Sequence, residues 1–225
     1  MAQTYHQSGS RTWMSSLRKI ITSELFPGSA WKKAKQRVLE LDSILVVGSG
    51  VSRYERAVHL DLGPFPNVDV VGDATRLPFM DDSFEGLICE VVLEHVYRAD
   101  EVIAEAFRVL KPGGQCFFIA PFLFPFHGHP SDYRRWSLEG LKAEFARFKI
   151  LDTGIHGGPS SSMVNLLTEW CYIASGLTYP KGYTAIKGLA TLTLFPLKYL
   201  DYWLIRLPEA HRLASTLFIL AQKDR

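Results

Sequence analysis

The stretch Ile44-Leu45-Val46-Val47-Gly48-Ser49-Gly50 decides the fold of this 225-residue protein. Its apolar residues do not alternate with polar ones, which is typical of a strand covered on both faces of a parallel sheet. The glycines that follow allow a tight turn and a close approach of a ligand to the backbone. A second apolar run, Ala57–Asp61, ends in an acid. We therefore predict two neighbouring strands whose carboxyl ends carry a binding loop.

Three further motifs follow in a fixed order. They are Gly72–Phe79 (GDATRLPF), Leu93–Val96 (LEHV) and Arg108–Gly114 (RVLKPGG). Taken together with the first stretch, they resemble the class I S-adenosylmethionine-dependent methyltransferases, in particular the family with a GD…LPF…LEH…LKPGG signature. The resemblance covers about residues 40–155 and implies a methyltransferase with S-adenosylmethionine as its cofactor.

Strand and helix patterns alternate along the chain, which predicts an α/β fold with a mostly parallel, doubly wound sheet. The predicted strands cover residues 44–48, 57–61, 69–71, 85–90, 115–120, 148–155 and 214–222, and the predicted helices include 97–110 and 137–147. The resemblance implies a Rossmann-like, seven-stranded sheet whose last strand runs antiparallel between the fifth and sixth.

Two helical regions flank this predicted sheet. Residues 1–41 form a predicted N-terminal extension, broken near residues 27–29, with Ser29 as a cap for its second helix. The methyltransferase domain would then cover residues 42–225, with a helical insertion at about 158–210 that Pro196 divides.

Composition sets the broad class of the protein. The chain is 47% hydrophobic with a net charge of +2, which suits a globular protein and gives no general case for binding polyanions. Its three cysteines lack metal-ligand spacing, and its first residues are polar, so we expect a reducing cytoplasmic setting without a signal peptide. No window supplies the roughly 18 apolar residues that span a bilayer.

The cofactor residues are expected at the carboxyl ends of the strands. The backbone of Gly48, Ser49 and Gly50 is expected to face the carboxylate of the cofactor, Asp61 to accept both ribose hydroxyls, and Leu62 to be a further cofactor contact. The resemblance places Asp73, Ala74 and Leu77 at the adenine, and Glu90 is expected to border the methionine half. Each loop also has a simpler interpretation. The glycines could form a turn without a ligand, and Asp73 could only cap the turn that follows it.

Two departures from the family pattern leave an alternative open. The acid that usually stands two residues before the first glycine is Val46 here, and the third glycine of the usual loop is Ser52. Few residues separate Gly50 from Asp61, so the helix after the first strand should be short or absent. A protein that keeps the fold but has lost turnover is therefore a second hypothesis. Dinucleotide binding is disfavoured, because Arg53 stands where its third glycine would fall.

The segment Pro121–Trp136 leaves the fifth predicted strand and is the expected acceptor wall. His127 or His129 is the candidate base, with Asp132 as its orienter. The predicted substrate contacts are Phe126, Tyr133, Arg134, Arg135 and Trp136. In the simpler interpretation these histidines and arginines only organise the loop. Glu94 and His95 serve either structure or catalysis. We expect no metal site, because the two histidines and Asp132 have no further ligand.

The predicted reaction is methyl transfer, at oxygen rather than carbon or nitrogen, to a small or lipid- or glycan-linked acceptor. A quinone-type carbon acceptor stays open. Nucleic acid is disfavoured, because Cys89–Val92 replaces an Asn-Pro-Pro-Tyr-type tetrad. The apolar residues 164–206 form either a lid or, together with the basic residues of 11–37, a peripheral membrane contact. Such a contact would be on the cytoplasmic face. The sequence does not predict an oligomeric state.

Overall fold

A computed structural model describes residues 24–128, 131–177 and 181–224. The first helix predicted within residues 12–41 lies largely outside them. The strands are β1 (Ile44–Val47), β2 (Ala57–Asp61), β3 (Val70–Val71), β4 (Phe84–Glu90), β5 (Leu110–Pro121), β6 (Lys149–Gly157) and β7 (Thr216–Gln222). The α-helices are α1 (Ala30–Leu39), α2 (Ala99–Val109), α3 (Leu138–Glu144), α4 (Pro159–Ser175), α5 (Lys181–Leu194) and α6 (Asp201–Leu204).

The seven strands form one sheet in the order β3-β2-β1-β4-β5-β7-β6. β1 pairs in parallel with β2 and with β4, so the order reverses at β1. β7 runs antiparallel between β5 and β6, with Phe118 opposite Ile219. This confirms the predicted Rossmann-like fold, including its antiparallel last strand. The carboxyl ends of β1, β2 and β4 therefore lie side by side at one edge.

The sheet separates two apolar layers. On one face α2 and α3 cover residues that include Leu45, Leu87 and Phe118. On the other face α1 contributes Ala34 and Val38 to a smaller cluster. All four residues of β1 are buried, as the unbroken apolar run predicted. Such two-sided burial fixes the positions of the strand ends, and these carry the polar residues of interest.

The structure differs from the prediction at two local features. β5 begins at Leu110, because the Lys111–Gly114 segment extends the ladder: Gly113 donates its N–H to Lys223 and takes a positive φ of 84°. Ser29 precedes α1 but makes no side-chain cap hydrogen bond, because its backbone is already helical. The predicted short connection after β1 is confirmed, since residues 48–56 contain no helix.

The segment between β6 and β7 is mainly helical. α5 ends at Leu194, and a 3-10 helix, Phe195–Leu200, begins around Pro196, so the proline divides the apolar segment as predicted. The buried Asp201 then caps the start of α4, although it lies 41 positions after Ser160 in the sequence. Its carboxylate accepts the N–H of Ser160 at 2.7 Å, the N–H of Ser161 at 2.9 Å and the hydroxyl of Ser161 at 2.7 Å. One buried carboxylate thus joins the two ends of the insertion.

Candidate cofactor and acceptor site

A crevice of about 240 Å³ opens at the strand edge where β1, β2 and β3 end. Gly48, Asp61 and Asp73 all line it, so the three predicted loop tips converge on one cavity. Gly48 has a φ of 68°, and a Cβ at that position would lie 2.2 Å from Cγ2 of Val92. Glycine is therefore required both by the backbone conformation and by the close neighbour.

Asp61 holds the glycine turn against the end of β2. Its Oδ2 accepts the N–H of Gly50 at 2.8 Å, and its Oδ1 accepts the N–H of Gly63 at 3.0 Å. A carboxylate offers about four lone-pair sites, so each oxygen can still accept one hydroxyl donor. Asp61 is thus fixed in place by the backbone and has the capacity to bind a pair of ribose hydroxyls.

The adenine end of the crevice is only partly as predicted. Asp73 accepts both the N–H and the hydroxyl of Thr75 through Oδ1, at 2.8 Å each, so it does cap its turn. Ala74 and the exposed Leu62 line the cavity. Leu77 does not, because its side chain is buried in the core beneath. Oδ2 of Asp73 accepts no hydrogen bond from the residues that the structure describes.

Glu90, at the end of β4, borders a separate space of about 80 Å³ beside Val46 and Ser52. Its Oε2 accepts Lys35 Nζ at 2.6 Å and the Tyr54 hydroxyl at 3.3 Å. The usual acid position is occupied here by the buried Val46, and Glu90 supplies a carboxylate on the adjacent strand. No motif in the sequence indicated this contact with Lys35, which lies in α1.

The segment after β5 is organised by one ion pair. Arg135 donates two hydrogen bonds to the fully buried Asp132, and it also donates to the carbonyls of Phe124 and Pro125. The guanidinium holds the pKa of Asp132 at about 2. Asp132 in turn accepts the backbone N–H of His127 at 2.8 Å. Arg135 thus organises the loop, in agreement with the simpler of its two interpretations.

The aromatic residues of this segment fall into two groups. Phe126, Tyr133 and Arg134 line a shallow cavity of about 290 Å³, and Phe126 is 76% exposed. Trp136 does not line it. Trp136 was predicted to contact the substrate, but the residue is 4% exposed and lies in the core, where the indole N–H donates to Glu144.

His127 lies on this loop, but its ring faces the protein. Nδ1 is 3.2 Å from the carbonyl of Pro125, and the buried Nε2 is 3.4 Å from Oε1 of Glu94. The neighbouring Glu94 carboxylate raises the pKa of His127, and burial opposes this effect. The LEHV motif marked Glu94 and His95, but nothing in the sequence connected them with His127. His129 lies outside the described residues.

Comparison with known proteins agrees with this geometry. Residues 32–118 match the profile of a family described as a methyltransferase domain. The sheet has the fold of class I methyltransferase domains. S-adenosylmethionine is the cofactor of such domains, and the crevice at Asp61 and Asp73 suits its adenosyl group.

A ubiquinone/menaquinone biosynthesis C-methyltransferase UbiE from Bartonella bacilliformis is 41% identical over 86 residues, which are 37% of this chain and 30% of the relative. The match covers less than a third of each of the curated relatives compared.

Two solved structures share the fold at low sequence identity. The 1,6-didemethyltoxoflavin-N1-methyltransferase of Burkholderia thailandensis, with bound S-adenosylhomocysteine, has a TM-score of 0.52 at 15% identity, covering 94% of this chain and 84% of that one. The [4+2]-cyclase SpnF has a TM-score of 0.53 at 18% identity, covering 98% and 85%. Similarity at this level establishes the fold but does not fix the reaction.

Proposed function

We propose that this protein transfers a methyl group from S-adenosylmethionine to an oxygen atom of an acceptor with a lipid-like body. The observation that carries the proposal is the convergence of Gly48, Asp61 and Asp73 on a single crevice. The segment after β5 leaves the same edge of the sheet as this crevice. Donor and acceptor would therefore meet where the strand ends hold them.

The cofactor-binding roles follow from the acceptor atoms that the fold fixes. Asp61 would accept the two ribose hydroxyls, and Oδ2 of Asp73 would accept the adenine amino group. Glu90 would take the place of the acid missing at Val46 and bind the ammonium of the methionine half. The backbone N–H groups of Gly48 and Ser49 donate to the carbonyl of Leu60, and that of Gly50 donates to Asp61, so we assign the carboxylate of that half no donor from this turn.

The acceptor side favours an electron-rich oxygen. In-line displacement at a sulfonium methyl needs mainly that the two reacting atoms are held close and aligned. Phe126 and Tyr133 offer apolar walls, and the charge of Arg134 favours a hydroxylate or carboxylate over an amine. We assign no proton acceptance to His127, because both of its ring nitrogens are directed at protein atoms.

The lipid-like body of the acceptor is inferred from the helical insertion. α4 and α5 expose large apolar side chains, among them Trp170, Ile173 and Leu189. The exposed Arg206 adds a basic residue to this surface, whereas Lys187 is paired with Glu169 and Lys198 is buried. An exposed apolar surface with aromatic and basic residues suits the interface of an anionic membrane. Among the described residues, no helix is long and apolar enough to cross a bilayer.

A transfer assay tests the methylation. Purified protein, tritiated S-adenosylmethionine and a bacterial lipid extract should give a labelled product, and Asp61→Asn should reduce the label at least tenfold. Hydriodic acid releases a methyl group from oxygen but not from carbon, so it identifies the acceptor atom. Cofactor binding without any labelled product would contradict the proposed transfer and favour a binding protein.

Vesicle flotation tests the lipid-like body separately. We expect wild-type protein to float with vesicles of phosphatidylcholine and phosphatidylserine, and the double variant Trp170→Ser/Trp203→Ser to stay at the bottom. Met80→Ser is the matched control, because Met80 is 82% exposed but lies outside the insertion. Equal flotation of all three proteins, or of none, would contradict this part of the proposal.

A carbon acceptor is the second candidate. It is supported by the similarity to relatives such as the ubiquinone/menaquinone biosynthesis C-methyltransferase UbiE, which aligns with 37% of this chain. An aromatic wall suits a quinol ring as well as a phenol. A labelled product that keeps its tritium in hydriodic acid would favour this candidate.

A further inference from the structure

Three potential metal ligands converge beside the cofactor crevice, and the assigned cofactor contacts use none of them. Glu94 and His95 lie in the short 3-10 helix Leu93–His95 that follows β4, and His127 lies on the segment after β5. One ligand atom from each of the three lies within 4.8 Å of the others. The two histidine rings meet edge to face, with centroids 5.0 Å apart.

Both histidines direct Nδ1 at a backbone carbonyl. His95 Nδ1 is 2.5 Å from the carbonyl of Ser131, and His127 Nδ1 is 3.2 Å from that of Pro125. A carbonyl oxygen only accepts, so each Nδ1 carries a proton, and in the neutral ring each Nε2 then has a lone pair that can bind a metal. Arg135 Nη2 is also 3.4 Å from His127 Nδ1, but it donates at shorter distances to Pro125 and Asp132. A metal-binding histidine usually donates the N–H of its other ring nitrogen to a carbonyl, a carboxylate or water, and a carbonyl is in that place for both histidines here.

Glu94 faces these two lone pairs with its carboxylate. The side chain is fully buried, and neither of its oxygens has a hydrogen-bond donor among the residues that the structure describes. Oε1 lies 3.4 Å from His127 Nε2 and 3.9 Å from His95 Nε2. A buried carboxylate that faces two imidazole nitrogens is unfavourable unless a positive charge lies between them, either a proton on His127, whose pKa Glu94 raises, or a metal ion that takes the place of that proton.

We propose that Glu94, His95 and His127 bind one divalent transition-metal ion of the zinc class. Ligands at about 2.0–2.2 Å from a tetrahedral zinc ion lie roughly 3.3–3.6 Å from one another. The distances from Glu94 Oε1 to the two Nε2 atoms, 3.4 Å and 3.9 Å, are close to this range, and the largest separation in the trio, within 4.8 Å, would have to contract by about 1 Å. Two imidazoles favour zinc and its neighbours in the first transition row over magnesium or calcium, which prefer oxygen ligands.

Three protein ligands leave a fourth position open on the ion. His95 also lines the cofactor crevice, so this position lies near the site of methyl transfer. There the ion would bind an acceptor oxygen and stabilise its negative charge. That last role rests on the proposed function, whereas the binding of the ion does not.

Cobalt substitution tests the site without any methylation assay. We expect chelator-treated wild-type protein to bind one Co²⁺ with the visible absorption bands of a four- or five-coordinate ion, and one Zn²⁺ to displace it. His127→Gln and Glu94→Gln should each weaken Co²⁺ binding at least a hundredfold, while their circular dichroism stays that of the wild type. His211→Gln is the matched control, because His211 lies on the far segment before β7.

Two outcomes would overturn the proposal. One is the absence of a saturable one-to-one Co²⁺ signal in the wild type, and the other is wild-type Co²⁺ affinity in folded His127→Gln and Glu94→Gln. X-ray absorption of the zinc-loaded wild type covers the case in which both variants unfold. Two imidazole ligands and an oxygen ligand support the site, and a spectrum without imidazole contradicts it. Titration with S-adenosylhomocysteine in parallel tests the cofactor crevice independently.

Discussion

Asp201 offers the sharpest test of how the helical insertion is held together. Its buried carboxylate accepts three hydrogen bonds from Ser160 and Ser161 at the start of α4. Three net contributions of about 1.5 kcal/mol each sum to about 4.5 kcal/mol, and loss of a helix cap alone costs about 1–2 kcal/mol. We therefore expect Asp201→Ala to lower the free energy of unfolding by about 3 kcal/mol.

Urea denaturation measures this loss. With a slope of about 2–3 kcal/mol per molar urea, the midpoint of Asp201→Ala should fall by about 1 M. Asp201→Asn keeps one acceptor oxygen and should lose about half as much stability.

Gly158→Ala gives an independent check, because its Cβ would lie 2.4 Å from the Asp201 Cγ and would push the carboxylate from the cap. Asp152→Asn, on the exposed part of β6, is the control. A loss below about 1 kcal/mol for Asp201→Ala would refute the reasoning.

Three further predictions concern the crevice and the pH response. Gly48→Ala should abolish S-adenosylhomocysteine binding in calorimetry, because its Cβ collides with Val92; unchanged affinity would contradict this. Glu90→Gln should weaken that binding about tenfold through the lost charge-assisted hydrogen bond, and an unchanged dissociation constant would refute its role. Burial, with a smaller effect of Lys35, lowers the pKa of His156 to about 3. The unfolded chain therefore binds the extra proton between pH 6.5 and 3, so stability should fall by about 1–2 kcal/mol from pH 6.5 to 5. His156→Gln should lose this dependence in urea titrations, and a variant that keeps it would contradict the assignment.

The positions of the strands along the chain could be predicted from the sequence because each strand end carries a local signal, whereas the antiparallel place of the last strand was implied by the family resemblance. The run into Gly48 and the acid at Asp61 mark two neighbouring ends, and two-sided burial makes the strands uniformly apolar. The start of β5 at the Lys111–Gly114 segment could not be predicted from the sequence. Its glycines indicated the end of a helix, and only the pairing of Gly113 with Lys223 shows that the ladder already begins there.

The polar contacts of the site depend on tertiary structure, and the sequence could not supply them. Lys35 reaches Glu90 across 55 positions of sequence, and Glu94 meets His127 between two loops. Trp136 is the reverse case, a residue that the sequence placed in the site and the structure places in the core. An aromatic residue in a loop suggested a wall of the acceptor site, but its large apolar ring is more stable in the core beside α3.

Calorimetric titration with S-adenosylhomocysteine tests the central claim most directly, because the account depends on Asp61 and Asp73 facing one adenosyl-binding crevice. We predict one binding site per chain in the wild type, at least tenfold weaker binding in Asp61→Asn, and unchanged binding in Asp152→Asn. No binding to the wild-type protein, or equal affinity of the wild type and Asp61→Asn, would contradict the claim.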